Sequence, residues 1–592
     1  MSTSEDLLRR LGAQLSYNEE RFFLVLAIFI GIIAGMAVVC FRVTMEWTHL
    51  FLLGSSITPT LTRAFLAPSL TGLVIAGLVF TVFGGARGSG LNQTKAALYV
   101  SDGYIPFRTV IGKFITATLA IGSGHSLGPE DPSLQIGAGL ASAFGQNLKL
   151  SRKKLRLLAP VGAAAGLAAA FNAPISAVLF VIEEVIGHWS AGILGAVVLS
   201  AVSSVVVMRA FLGTEPLFRI PPTSVSRWQE LLAYAVLGIL GGLASVAFSQ
   251  AIEWLRPRMK AFPLKAQFFQ PAIAGLLLGC IAAAGFPQVM GAGYDFMDQA
   301  MHGQFTWQVL AILAGLKIVA TTVSYVSGTP GGMFAPTLFI GAMLGGSVGT
   351  VERLLFPNLT GSVGTYALVG MGVLFAGFLR APITSVFMAL EVSGDYSIIL
   401  PVLVANMLSY LISRQLQKVP VLEVLTRQDG LYLPALEEER EHESLLVEDA
   451  MREPAVSPFD GKQTVAWARA IAGTEPGGKF LVILDERKWS VVTSEELEEL
   501  TSDGKAGQPL DAVLPDRAVP YLYPDQDLDV ALGYTQEWTM IPVVSRTNNM
   551  RIQGVIELAD VLRAYRPTHA EETGEGETTT RRTSRTRTGS VL

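Results

Sequence analysis

The sequence predicts an all-α, polytopic membrane protein made of two repeated halves, with a water-exposed α/β tail. Three observations predict it: the uneven distribution of charge, apolar runs cut by glycine and proline, and segments that recur at a nearly fixed spacing. Half of the 592 residues are hydrophobic and only 16% are charged, against about 25% in an ordinary soluble domain. The deficit is local. Long apolar stretches fill residues 22–416, and the chain becomes ordinarily charged beyond residue 430. The net charge of −5 offers no basic surface for nucleic acid. Cys40 and Cys280 both sit in apolar stretches, where they suit packing and neither a disulfide framework nor a zinc site.

Taken in order, residues 1–20 form a polar segment without the small-residue signature of a cleaved leader. Residues 21–430 carry the membrane part. Its apolar runs lie near 22–40, 66–83, 107–121, 155–185, 191–212, 230–252, 270–286, 307–324, 364–378 and 396–416. A simple bundle would show uniform runs of about 20 residues. Several here are shorter, or are interrupted by GSGHSLGPEDP and GTPGGMFAP. Non-helical backbone survives at membrane depth only where protein buries it or it lines an aqueous cavity. The breaks therefore point to a site.

The repeat is visible in the residues themselves. Gly128–Gly145 and Gly332–Gly349 share the frame G-x-x-x-P-x-L-x-I-G-A-x-L-x-x-x-x-G at an offset of 204, and Ala173–Glu183 parallels Ala381–Glu391 at 208. Two matches in the same order predict halves at about 21–215 and 225–430, with substrate near the midplane between them. The match alone fits either orientation of the second half. Lys149, Arg152, Lys153, Lys154 and Arg156 cluster between apolar runs, and Arg414, Lys418 and Arg427 follow the last one. By the positive-inside rule both clusters, and the tail after them, are cytosolic. The tail divides into similar units at 443–503 and 507–566, followed by 567–592, whose composition predicts disorder.

Three breaks are candidate anion sites. Gly128-Pro129-Glu130-Asp131-Pro132 ends one run and starts a helix, since proline fits a first helical turn. A helix start offers free N–H groups and the positive end of its dipole to an anion. Gly332-Met333-Phe334-Ala335-Pro336 is the equivalent place in the second half. Gly88-Ser89-Gly90 adds a hydroxyl. An intramembrane carboxylate is functional by default, so Glu130 reads either as a carboxylate that mimics the transported anion, released on protonation, or as a simple cap with Asp131. Glu183 and Glu184 read as a boundary pair or as a proton entry point, with His188 nearby.

In combination, Gly88-Ser-Gly, Gly122-SGHSLGPEDPSLQIG, Gly162-AAAGLAAAFNAPISAVLFVIEE and Ser327-GTPGGMFAP resemble the CLC family of chloride channels and transporters over residues 20–427. The two tail units resemble a CBS-domain pair. The resemblance implies a homodimer in which each subunit has its own pathway, built from two inverted repeats. It implies that Ser89, Gly128 and the backbone of Met333 and Phe334 bind chloride. Glu130 then serves as gate and proton carrier, and Glu184 as internal proton acceptor with Glu183 beside it. Both acids together imply Cl⁻/H⁺ antiport ahead of passive conduction.

Three departures qualify that expectation. GSG continues as Leu91-Asn92. The family's basic residue and glycine around the gate are here Pro129 and Asp131, and a carboxylate at 131 is expected to repel anions on the outer approach. The family's pore tyrosine falls on Leu422. In the tail, Thr493 and Asp560 occupy nucleotide-contacting positions, but Glu557 replaces a hydroxyl, so an adenine nucleotide is an optional ligand beside a purely structural role. No other cofactor is implied. The expected function is chloride transport coupled to protons in the plasma (inner) membrane. The alternatives are a passive chloride channel, a CBS-regulated cation transporter, or a membrane enzyme, for which the sequence offers no HExxH motif.

Overall fold

The computed structural model describes residues 2–565 except 188–190, 215–217, 219–227, 358–360, 432–444, 474–477, 486–487, 515–517 and 547, with backbone alone at 2–20, 153, 191–192, 485 and 550. His188 and the segment 567–592 lie outside the described residues. The chain forms two compact units, Met1–Leu436 and Glu437–Leu592.

The first unit is helical. Its first half runs through α1 (Ser2–Leu52), α2 (Leu61–Thr81), α3 (Gly90–Val100), α4 (Phe107–Gly122), α5 (Glu130–Asn147), α6 (Arg152–Phe171), α7 (Pro174–Phe180) and α8 (Ala191–Leu212). The second half follows the same order with α9 (Glu230–Lys260), α10 (Leu264–Ala283), α11 (Tyr294–Met301), α12 (Trp307–Val326), α13 (Phe334–Leu355), α14 (Val363–Leu379), α15 (Pro382–Ser393) and α16 (Ile399–Leu416), and α17 (Val421–Gln428) closes the unit. Among the described residues, nine helical segments are long and apolar enough to cross a membrane. The polar start of the chain continues into the first of them as one helix. The helices that carry the breaks are shorter or more buried, and α14 is buried along its whole length.

Contacts repeat between the halves as reciprocal pairs. α5 packs on α6 where Gly137 meets Gly162, and α13 packs on α14 where Gly341 meets Gly370. In each case a Cβ on the first glycine would stand 2.2 Å from the second glycine's carbonyl oxygen. Only glycine permits that approach, the small-residue packing that brings membrane helices close. α6 and α14 both end in the left-handed region, at Asn172 (φ 56°) and Arg380 (φ 61°). Each is followed by an Ala-Pro pair that starts the next helix. The α7 start is capped by Glu391 of the second half, which accepts from Ile175 N (2.9 Å) and Ser176 N (2.8 Å). The α15 start is capped by Glu183 of the first half, which accepts from Ile383 N (3.3 Å) and Thr384 N (3.0 Å).

The second unit mixes strands and helices. β1 (Phe459–Asp460) lies parallel to β2 (Lys479–Asp485), which pairs antiparallel with β3 (Lys488–Thr493). A second sheet pairs β4 (Ile541–Ser545) antiparallel with β5 (Asn548–Ile556), and Leu522 bridges parallel to Val543 as β1 does to β2. Helices α18 (Val447–Ala450), α19 (Val465–Ala472), α20 (Ser494–Ser502), α21 (Leu510–Val513), α22 (Leu528–Tyr534) and α23 (Leu558–Ala564) complete it. Each sheet has its own apolar cluster. A third cluster, with Leu481 and Trp489 from one sheet and Met540, Val544 and Val555 from the other side, joins them.

Candidate functional site

The breaks meet inside the first unit. Gly128 N donates to Gly332 O (2.8 Å) and Gly332 N donates to Gly128 O (2.9 Å). This two-bond bridge satisfies the backbone of both interruptions, as burial requires. It also sets the starts of α5 and α13 side by side. Glu130 is fully buried at the α5 start. Its Oε1 accepts a short hydrogen bond from the Tyr294 hydroxyl of α11, and the N–H groups of Glu130 and of Ala335 on α13 face its carboxylate. The Phe334 ring packs on Phe180 at 5.0 Å and on Phe375 at 5.8 Å between centroids, which walls that side with aromatic carbon.

Asp131, 2% exposed, faces a different helix. Its Oδ2 accepts from Ser89 Oγ (2.9 Å), and its Oδ1 accepts a short bond from Leu91 N at the α3 start. The N–H of Gly90 also faces it. Its hydrogen bonds thus run to the α3 start. Ser89 is the N-cap of α3 and accepts from Asn92 N (3.4 Å), and Asp131 takes the Leu91 N–H that this cap leaves, at the positive end of the helix dipole.

Two lysines stand behind these starts. Lys113 on α4 and Lys317 on α12 are both fully buried and are spaced by the same 204 residues as the repeat. Lys113 Nζ donates to Gly88 O (2.7 Å), and Lys317 Nζ donates to Val289 O (3.0 Å) and Gly291 O (2.7 Å). Each lysine holds carbonyls of the loop before α3 or α11. Sequence reasoning missed both, although their shared offset was a usable signal.

A cavity of about 320 Å³ reaches Ser89. Its lining includes Arg87, Asn92, Tyr325, Arg256 and Asp429. The Tyr325 hydroxyl lies against Ser89. Leu422 is buried in the apolar core, and α17 reaches the cavity through Thr426 and through Asp429 just past its end. Asp429 pairs with Arg256 at 2.9 Å and closely with Lys260. Burial alone would push its carboxyl up, but Lys260 and Arg256 outweigh that and hold it below its ordinary value.

The acid pair divides. Glu183 caps α15 and also accepts from Thr384 Oγ1 at 2.7 Å. Glu184, within the π-helical turn Val181–Ile186, forms a buried ion pair with Lys95 of α3 at 3.3 Å. Lys95 was not legible as its partner. In the second unit, Thr493 and Asp560 serve as helix caps, and Asp560 also pairs with Arg452 at 3.1 Å. A cavity of about 540 Å³ there is lined instead by Arg452, Lys479, Phe480, Met540 and Glu557 among others.

Broken helices that meet at a buried carboxylate, within a bundle of apolar spans, define a multi-pass integral membrane protein of the transporter type. The model of the voltage-gated chloride channel family matches residues 71–414, and the chain belongs to that family. A ClcB-like chloride channel protein of Ralstonia nicotianae is 33% identical over 402 residues, covering 65% of this chain and 92% of that protein. The H(+)/Cl(-) exchange transporter ClcA of Vibrio campbellii is 30% identical over 413 residues, covering 67% and 87%. Among solved structures, a slow cyanobacterial Cl⁻/H⁺ antiporter superposes with a TM-score of 0.63 at 25% identity, covering 71% of this chain and 99% of that one. A eukaryotic CLC transporter superposes at 0.60 with 20% identity, covering 92% and 98%. The second likeness concerns fold alone and runs on into the C-terminal unit.

Proposed function

We propose that this chain exchanges chloride for protons across the membrane, as a homodimer of two inverted repeats per subunit with both termini cytosolic. The observation that carries this reading is Glu130. Its fully buried carboxylate faces the N–H groups of α5 and α13, where a dehydrated anion finds its best partners. Carboxylate and chloride compete for the same donors, so protonation of Glu130 frees the cradle and carries a proton with it. Chloride then binds Ser89 Oγ and the amides around Gly128, Met333 and Phe334. Tyr325 supplies a hydroxyl beside Ser89 that Leu422 does not. Glu184, paired with Lys95, accepts protons from the inner side, while Glu183 holds α15. Relatives named exchange transporters and the antiporter likeness support the coupling.

The C-terminal unit is a CBS pair in this reading. Its paired sheets and central Trp489 cluster support that. Because Thr493 and Asp560 cap helices, we assign the unit a structural role, with an adenine nucleotide as optional ligand of the Arg452–Lys479 cavity.

The test is transport by purified protein in liposomes. A chloride gradient is expected to drive protons uphill. Glu130→Gln is expected to abolish proton movement and keep chloride flux. A reversal potential that follows chloride and ignores pH would instead establish a passive channel.

A further inference from the structure

We propose that Asp131 is a second tethered carboxylate that occupies the Ser89 end of the pathway, and that the transported anion must displace it. This rests on the chloride reading above and adds a residue to which that reading gives no part.

Ser89 Oγ donates to Asp131 Oδ2 at 2.9 Å, and Leu91 N donates to Oδ1 in a short bond. The Gly90 N–H faces the same carboxylate. These are the groups at the α3 start that would meet an anion arriving through the cationic cavity, since Ser89 lines that cavity with Arg87 and Arg256. One set of donors cannot serve a carboxylate and a chloride together. The neighbouring residue does the same thing one helix away, because Glu130 is held by Tyr294 and faces Ala335 N. Adjacent acids of a single helix start thus fill two separate sets of amide donors, one at the α3 start and one where α5 meets α13.

Asp131 is placed to hold rather than merely to cap. It lies at the second position of α5, yet its carboxylate serves a helix 40 residues earlier. Its negative charge is balanced by Lys113, whose charge acts on it from α4. Nearby polar groups are Ser89 and Tyr325. A carboxylate attached to the site competes at high effective concentration, so free chloride binds weakly until Asp131 swings away. The backbone leaves no slack for that helix start to shift, since a Cβ on Gly332 would stand 2.4 Å from Asp131 Cβ. Displacement is therefore a side-chain rotation.

Chloride titration calorimetry on the full chain in detergent tests this, comparing the natural protein with Asp131→Gly and Asp131→Asn. The glycine variant is expected to bind chloride roughly tenfold or more tighter, about 1.4 kcal/mol. The asparagine variant, which keeps the size and one acceptor oxygen but not the charge, is expected to fall between. Adding Ser89→Ala to Asp131→Gly is expected to erase the gain. Equal or weaker chloride binding in both Asp131 variants, alongside measurable binding by the natural protein, overturns the proposal and leaves the chloride reading standing. Absence of chloride binding in every variant, with each still monodisperse, overturns the chloride reading and the proposal with it.

Discussion

Glu184 shows how much a single partner decides. Its carboxylate is buried, and Lys95 on α3 stands 3.3 Å away. A buried ion pair is strongly perturbed when one member is removed, because the other charge is left without compensation. With Glu184 as the inner proton acceptor proposed above, Lys95→Met is expected to impair that transfer by removing the ammonium beside the carboxylate. Proton flux in liposomes should fall at least tenfold while chloride flux persists, and Lys95→Arg should restore much of it. Unchanged proton flux in Lys95→Met would detach Glu184 from that role. The sequence showed both acids but not this division of labour. Glu183 and Glu184 are neighbours in the chain, and within the π-helical turn one faces the α15 start and the other Lys95.

At the scale of elements, glycine contacts and end caps hold the broken helices. The α13–α14 crossing depends on Gly341, where a Cβ would meet Gly370 O at 2.2 Å. That atom is backbone and cannot move aside cheaply. Gly341→Ala is expected to cost about 1–3 kcal/mol, the usual range for overpacking. A lowered Tm of the detergent-solubilised protein would record it, and an unchanged Tm would show that the helices have room to separate. The link between α17 and α9 is electrostatic. Asp429 is held below its ordinary value by Lys260 and Arg256 against the opposing effect of burial. A depressed carboxyl stabilises above its unfolded value, about 3.9, and the contribution is lost as pH falls through the folded value. Protection of α17 amides from hydrogen exchange, relative to their intrinsic rates, should therefore fall below about pH 4, and Asp429→Asn should show the lowered protection at neutral pH. The breaks that start α5 and α13 were legible because Gly and Pro announce a helix boundary. Their bridge at Gly128 and Gly332 was not, because two segments 204 residues apart declare no contact through composition.

For the whole molecule, the repeat was the most legible feature, since equal offsets survive in sequence without any other information. It was also under-used. Lys113 and Lys317 share the 204-residue spacing, yet a lone lysine in an apolar run reads as an anomaly until its carbonyl partners are seen. The partners of Asp131 were not legible for a related reason: a side chain's facing follows from helix phase and neighbouring donors, and these come from the fold. The two compact units predict separable behaviour. Trp489 is 1% exposed at the junction of the two small sheets, and losing a buried aromatic of this kind costs about 3–5 kcal/mol. Trp489→Ala is expected to lower the unfolding transition of the C-terminal unit and leave that of the helical unit in place. A single transition shifted as a whole would show that the two fold as one.

In the proposed function, peptide N–H groups at interrupted helices, with the Ser89 hydroxyl, hold the anion inside the protein. Bromide anomalous diffraction from crystals of the Glu130→Gln variant would locate that anion. Saturating bromide is expected to give a peak within hydrogen-bonding distance of the Phe334 amide or Ser89 Oγ. Peaks confined to the Arg87, Arg256 and Lys260 side chains, with none at those two groups, would contradict it.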